Sequence, residues 1–469
     1  MSKAAGRATT SSIVIGLGTR KKTNLAISAR NASALAGNAF RHVNLFLRQR
    51  SMRELGPEKP YAPRPTSGKP AELPEIPSGR TLMVIGQATE PTVTRSMSDY
   101  AEAMGPPGGY SFYLILSGDD ARTKRELATI GAFLDRYPGT ALLLAVGYGA
   151  NLTGNIRESQ LLLRGRFDPE LDALAAWLRS LDRAAFVRPL YEFDRLGMTY
   201  GGPELFKSAY RYFVDRLRGK GVDNTAWIWH SAGPVWRLVD SAARYAIASA
   251  VVRNPALVDW YVKRYFKSPV RDRIPIRSFY PGEGYADYFA ISYWDGSPGL
   301  GAFTPAGRDM YKAETRRLFK EAQDLGLPLA IAESNPAYIG TYSHEKSELW
   351  FETYFDLIEE FDIRLASYIA AEFFEEGGVW GSPIFNGFWP RDCRIHAYPE
   401  IRRLFESRVA APRYILQERE SVNSALGWKP LPLPWKEEIP PMPERPRLRW
   451  PHCSPPEYPG MGGWCLPRL

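Results

Sequence analysis

Two glutamates stand where carboxylates are costly. Glu192 closes the stretch "FVRPLYE" within "FVRPLYEFD", and Glu333 closes "PLAIAE" within "PLAIAES". Each follows a near-continuous apolar run, where an ionised group is unfavourable unless a site uses it. The structural alternative is an ordinary charge at the end of a strand or a helix cap. A pair of carboxyls can divide acid and base work: one, protonated, gives its proton to a leaving oxygen, while the other, ionised, attacks carbon or activates water. Cleavage of a glycosidic bond demands this division. A separation of about 5–5.5 Å gives retention of configuration and about 6.5–9.5 Å gives inversion, and the sequence leaves both open.

Several residues near the ends of other apolar runs are candidates to bind substrate around that pair. Arg188, four residues before Glu192, shares its side by strand alternation and can hold or orient a carboxylate, or form a structural ion pair. Tyr191 and Asp194 flank Glu192. Trp229 and His230 end the run "TAWIWH", and Tyr293 or Trp294 ends "YFAISYW", with a core aromatic as the alternative. Gln87 and Tyr148 stand after earlier runs. Glu372, Trp380 and Trp389 lie in or beside "AAEFFEEGGVWGSPIFNGFW". Indole faces suit the apolar faces of pyranose rings, although the proline-rich tail can also cover such tryptophans.

The elements that must position these residues are eight apolar runs, at 81–88, 109–117, 141–148, 184–192, 225–231, 288–294, 328–334 and 365–373. Helical spacing fills most of the intervals. In "DPELDALAAWLRSL", Leu171, Leu174, Ala175 and Leu178 share a face, as do Phe206, Tyr210, Phe213 and Leu217 in "PELFKSAYRYFVDRL". Eight strands alternating with helices predict an α/β fold, a closed (β/α)8 TIM barrel over 76–408 whose C-terminal rim carries the site. The segment 235–275 exceeds one crossover and predicts a helical excursion. Residues 1–75 read as a polar, proline-rich N-terminal extension, and 409–469 as a proline-rich tail strapped over the barrel.

Composition narrows the partners. The 469 residues, 44% hydrophobic, suffice for one large domain with added segments. Sixty Lys and Arg over 51 Asp and Glu give +9, yet no basic stripe carries stacking aromatics, so no nucleic-acid partner is expected. No apolar run reaches membrane-spanning length, so no membrane partner is expected either. The five histidines are far apart and no metal-ligand spacing occurs; no Gly-rich dinucleotide fingerprint follows the first strand. No metal and no cofactor are expected, and the chain is expected to act as a monomer. Three cysteines cannot form a disulfide framework, although Cys453 and Cys465 can pair in an exported protein. The start "MSKAAGRATTSSIVIGLGTRKK" reads as a polar leader, without a convincing secretory signal.

The order "FVRPLYEFD…GGPELFKSAYRYFVDRLRGKGVDNTAWIWHS", "SFYPGEGYADYFAISYW", "PLAIAES" resembles glycoside hydrolase family 26, the β-mannanase family, from about 80 to 405. In that family the acid/base glutamate lies in Arg-Pro-x-His-Glu, matched by Arg188, Pro189, Leu190, Tyr191 and Glu192. The nucleophile lies in Ile-Ala-Glu, matched by Ile331, Ala332 and Glu333. "GFWPRDCRIHAYPEIRRLF" is similar to its Trp-Gly-Asp-x-Arg-Ile closing segment. Tyr191 replaces the family's histidine, and "ISYWDG" departs from Ile-Asp-Gly-Tyr. The resemblance implies a retaining, endo-acting enzyme of secreted or periplasmic placement, cleaving mannan or another β-linked polysaccharide or long oligosaccharide. A transglycosylase using the same glutamates, or a non-catalytic carbohydrate-binding barrel, are the alternatives.

Overall fold

A computed structural model describes residues 61, 73–86, 91–148, 155–194, 200, 202–234, 275–294, 305–336, 344–371 and 392–430. Of the sequence-read extensions 1–75 and 409–469, residues 1–60, 62–72 and 431–469 lie outside them, as do 235–274 of the expected excursion at 235–275, with Cys453 and Cys465. By contacts the chain divides into Met1–Leu431 and Pro432–Leu469.

All eight expected strands are present, as β1 (Thr81–Gly86), β2 (Gly109–Leu116), β3 (Ala141–Tyr148), β4 (Ala185–Pro189), β5 (Thr225–Ser231), β6 (Tyr288–Trp294), β7 (Leu329–Asn335) and β8 (Leu365–Tyr368). Each pairs in parallel with the next, and β8 pairs with β1, closing the ring. A short β9 (Tyr414–Ile415) fills the lower part of the β1 edge, below the point where β2 begins. Gly108 makes this possible, because a Cβ there would stand 2.3 Å from the Ile415 carbonyl oxygen. The helices are α1 (Pro91–Met104), α2 (Asp120–Leu134), α3 (Asn155–Leu163), α4 (Asp168–Ser180), α5 (Pro203–Arg218), α6 (Pro305–Gln323), α7 (His344–Glu360), α8 (Pro399–Val409) and α9 (Val422–Ala425). α4 and α5 bury the faces expected of them, Leu171, Leu174, Ala175 and Leu178 on one and Phe206, Tyr210, Phe213 and Leu217 on the other. Together this is a (β/α)8 barrel.

Strand alternation sorts the side chains into two cores. Outward residues such as Val187, Trp227, Trp229, Phe289 and Ile331 meet the helices. Inward residues, including Leu82, Val84, Leu143, Phe186, Ile228, Ala290, Ala332 and Leu365, plug the barrel, and Ile76, Ile415, Val422, Leu426 and Trp428 join the same cluster. Above that plug the inward positions turn polar: Arg188 follows Phe186, His230 follows Ile228, and Ser292 follows Ala290. Closing the lower barrel with apolar layers leaves its C-terminal end as the place where polar groups face one another.

Two departures from alternation aim the glutamates. β4 ends at Pro189, three residues earlier than expected, so Glu192 is not a strand residue. Leu190 (φ 50°) and Glu192 (φ 54°) adopt left-handed backbone, costly for non-glycine residues. The turn sends Leu190 and Phe193 into the outer core and leaves Tyr191 and Glu192 at the mouth. On β7, simple alternation from Ala330 and Ala332 would point Glu333 outward. Instead the register slips by one residue: Ile331 pairs with Ile291, but Glu333 pairs with Ser292. This β-bulge puts Ala332 and Glu333 on the same inner side, a re-aiming for which bulges serve next to active sites.

Candidate active site

The two glutamates end one continuous buried network. Glu333 Oε1 accepts from Tyr113 Oη at 2.7 Å and forms an ion pair with Arg188 Nη1. Arg188 Nη1 also donates to His230 Nδ1 at 3.2 Å. His230 Nε2 lies 3.1 Å from Ser292 Oγ, and Ser292 Oγ donates to Glu192 Oε1 at 2.8 Å. Every member except Tyr113 is at most 5% exposed. Ser292 thus touches Glu192 and is the register neighbour of Glu333 across a strand spacing of about 4.8 Å, so both carboxyls border one small region.

The network has one consistent direction. A guanidinium only donates, so His230 Nδ1 is the acceptor and Nε2 carries the hydrogen, which it gives to Ser292 Oγ. Burial and the neighbouring Arg188 push His230 well below the ordinary imidazole range, consistent with a neutral ring. Burial alone would lower Arg188, but Glu333 and the adjacent tyrosines outweigh it and raise it, so it remains charged. Burial, reinforced by Glu333, lifts Tyr113 well above the usual phenol range, keeping it a donor. The Arg188 guanidinium carbon is 5.3 Å from the Tyr113 ring centroid and 5.6 Å from that of Tyr191, a cation set over two tilted rings whose centroids are 5.2 Å apart. Tyr191 also stacks on His230 at 6.4 Å.

The expected residues are distributed unevenly. Glu192, Glu333, Arg188, Tyr191 and His230 come together. Trp229 does not join them: adjacent strand residues face opposite sides, and it stacks on Phe193 in the outer core at 5.1 Å. Tyr293 is likewise outward, against Trp350 and Tyr354, and Tyr148 stacks on Phe167 beneath the helices. Asp194 accepts from Ser231 Oγ and the Ala232 amide, both at 2.8 Å, and so ties the turn after β4 to the end of β5. Trp294 pairs in register with Asn335, its backbone alone being described. Gln87, Glu372, Trp380 and Trp389 lie outside the described residues.

Tyr113 and Ser292 escaped the sequence reading. A tyrosine does donate to Glu333, but it is Tyr113 on β2. Inward alternation from Ser111 on β2 and from Ala290 on β6 was the signal available for both. In the closing segment, Asp392 binds Arg394 and Tyr398, and the Tyr368 hydroxyl donates to the Cys393 carbonyl. Among the described residues, no group of three or more His, Cys, Asp or Glu could hold a metal.

No family model matches the chain. A β-1,3-xylanase from an Alcaligenes species is 23% identical over 369 residues, 72% of this chain; the match spans 66% of that relative's length. Among solved structures, GH26A from a Muricauda species has a TM-score of 0.41 at 16% identity, covering 73% of this chain and 93% of the other. A GH26 β-mannanase from Bacteroides ovatus has a TM-score of 0.44 at 14% identity, covering 73% and 92%. The chain is similar to glycoside hydrolases, the class toward which the motifs around Glu192 and Glu333 pointed.

Proposed function

We propose that this protein is a glycoside hydrolase that cuts a β-linked polysaccharide within the chain and retains anomeric configuration. The observation that carries the reading is a pair of buried carboxyls at opposite ends of one hydrogen-bonded network in a barrel mouth.

The network suggests how the roles divide. Tyr113 and Arg188 both meet Oε1 of Glu333, so Oε2 is the oxygen that bonds to the anomeric carbon as the glycosidic C–O bond breaks. Ser292 reserves Oε1 of Glu192 as an acceptor, so the proton sent to the leaving oxygen belongs on Oε2. Glu192, now a carboxylate, then takes a proton from water, whose oxygen displaces Glu333 from the sugar. A sugar hydroxyl in place of that water gives transglycosylation.

The substrate, placement and organisation belong to the same proposal. A β-1,3-xylanase relative puts β-1,3-xylan beside mannan as the first polymers to try. A polymeric substrate favours a secreted or periplasmic monomer, with 76–408 as the catalytic domain between the two extensions. Among the described residues, no helix is long and apolar enough to cross a membrane.

The test is a panel of β-1,3-xylan, β-1,4-xylan, mannan and β-glucans, scored for new reducing ends, product length and the first anomer formed by NMR. Early medium-length products with retained configuration are expected. Single terminal sugars would overturn internal cleavage, and inversion would overturn the assignment of Glu333. Binding without turnover would favour the non-catalytic alternative.

A further inference from the structure

Asn335 is a buried amide that the described residues leave unanswered. It ends β7, is 1% exposed, and among the described residues neither its Oδ1 nor its Nδ2 has a hydrogen-bond partner. Its orientation follows from the bulge. Beyond the slip, Glu333, Ser334 and Asn335 pair with Ser292, Tyr293 and Trp294. Tyr293 and Ser334 are the outward members, since Tyr293 packs on Trp350 and Tyr354. Glu333 and Asn335 therefore share the inner face, with Asn335 two residues nearer the open end. At about 3.3 Å of rise per residue, the amide stands about 6.6 Å above Glu333, roughly the width of one pyranose ring.

Resting on the glycoside hydrolase reading, we propose that Asn335 binds the sugar ring attacked by Glu333, through hydroxyls of that ring. A carboxamide offers a donor and an acceptor side by side, as a pair of neighbouring sugar hydroxyls does. Native proteins seldom bury an amide with both atoms unmet, because the lost hydration is not recovered. A residue needed only for folding would have been matched with protein partners or replaced by an apolar side chain. The hydroxyls of a bound ring supply the missing bonds at the depth where the reaction takes place.

The experiment compares the wild type with Asn335→Ala and Asn335→Ser, measuring thermal melting and kcat/KM on an aryl β-glycoside and its monodeoxy analogues, one per hydroxyl of the reacting ring. Melting should stay unchanged or rise, since no protein hydrogen bond is lost, while kcat/KM falls about 10- to 100-fold. The wild type should discriminate against at least one deoxy analogue, and that discrimination should shrink in Asn335→Ala by the same factor. Equal kcat/KM in all three proteins, or discrimination unchanged by the substitutions, would overturn the inference while leaving the hydrolase reading standing; the latter result would mean that water rather than sugar meets the amide. A fall in melting temperature that parallels the loss of activity in both variants would make Asn335 a structural residue. A wild type inactive on every glycoside removes the underlying reading and this inference with it.

Discussion

His230 is the residue through which the two glutamates communicate, and it can do so only while neutral. Protonating it would set a cation against Arg188 and remove the acceptor at Nδ1. Its folded form resists protonation, whereas the unfolded imidazole titrates near about 6.5, so the unfolded state takes up the extra proton as pH falls. Stability should therefore be lost below about pH 6.5, by at most about 1.4 kcal/mol per pH unit from this group. Denaturant melts of wild type and His230→Gln between about pH 7.5 and about pH 5 isolate this contribution, because His396, also shifted down by burial, is present in both. The stability difference between them should shift against the wild type as pH drops; a constant difference would mean that His230 titrates normally. The glutamates make a kinetic prediction. Glu192→Gln should lose most turnover of polysaccharide yet keep glycosylation of an aryl glycoside with a good leaving group, with azide speeding the second step. Glu333→Gln should respond to neither treatment. Rapid kinetics and mass spectrometry of a trapped sugar on Glu333 check the assignment, and labelling of Glu192 would reverse it. Glutamates were legible because charge at the end of an apolar run is unusual, whereas Tyr113, Ser292 and Asn335 resemble ordinary strand residues until their facing is known.

At the scale of the strand, sequence supplies the alternation of facing but not the places where it breaks. Alternation alone separates His230 from Trp229, and it places Tyr148 and Tyr293 among the helices. It would also have sent Glu333 outward, and nothing in "LAIAESN" announces the slip that reverses it. Left-handed backbone at Leu190 and Glu192 is similarly invisible, because leucine and glutamate are not residues that favour it. One trace of the tight fit was present, in the glycine of "AVGY". A Cβ at Gly147 would stand 2.9 Å from Tyr191 Cε1, so β3 must be bare there for the tyrosine to lie over it. Gly147→Ala should displace the ring that flanks Arg188 and His230, lowering kcat/KM about 10-fold and stability by about 1–3 kcal/mol. Adding Tyr191→Ala should recover stability but not activity, a coupling that a double-mutant cycle measures. Additive losses would show that the glycine serves some other contact.

For the whole molecule, the ring of strands was readable from eight apolar runs, but the point at which the barrel is complete was not. The sequence places the boundary at 408, where helical patterning gives way to proline. Physically, the lower end of the barrel is closed by residues beyond that point. Ile415 enters with β9, and Val422, Leu426 and Trp428 complete the inner apolar cluster with Ile76. Asn423 accepts from the Ala184 amide and donates to the Asp182 carbonyl, and Trp428 Nε1 donates to the Asn224 carbonyl, fastening this segment beneath β4 and β5. Four fully buried apolar side chains at about 1.5–3 kcal/mol each amount to about 6–12 kcal/mol, comparable with the about 5–15 kcal/mol stability of a typical domain. A chain cut after Arg408 should therefore fail to melt cooperatively and should bind a hydrophobic dye, whereas one cut after Leu431 should keep a sharp transition. Circular dichroism melts of the two truncations decide between them. Cooperative melting of the shorter chain near the temperature of the longer would show that the plug closes without Trp428 and its neighbours, and that the composition change at 408 marks the true edge of the barrel.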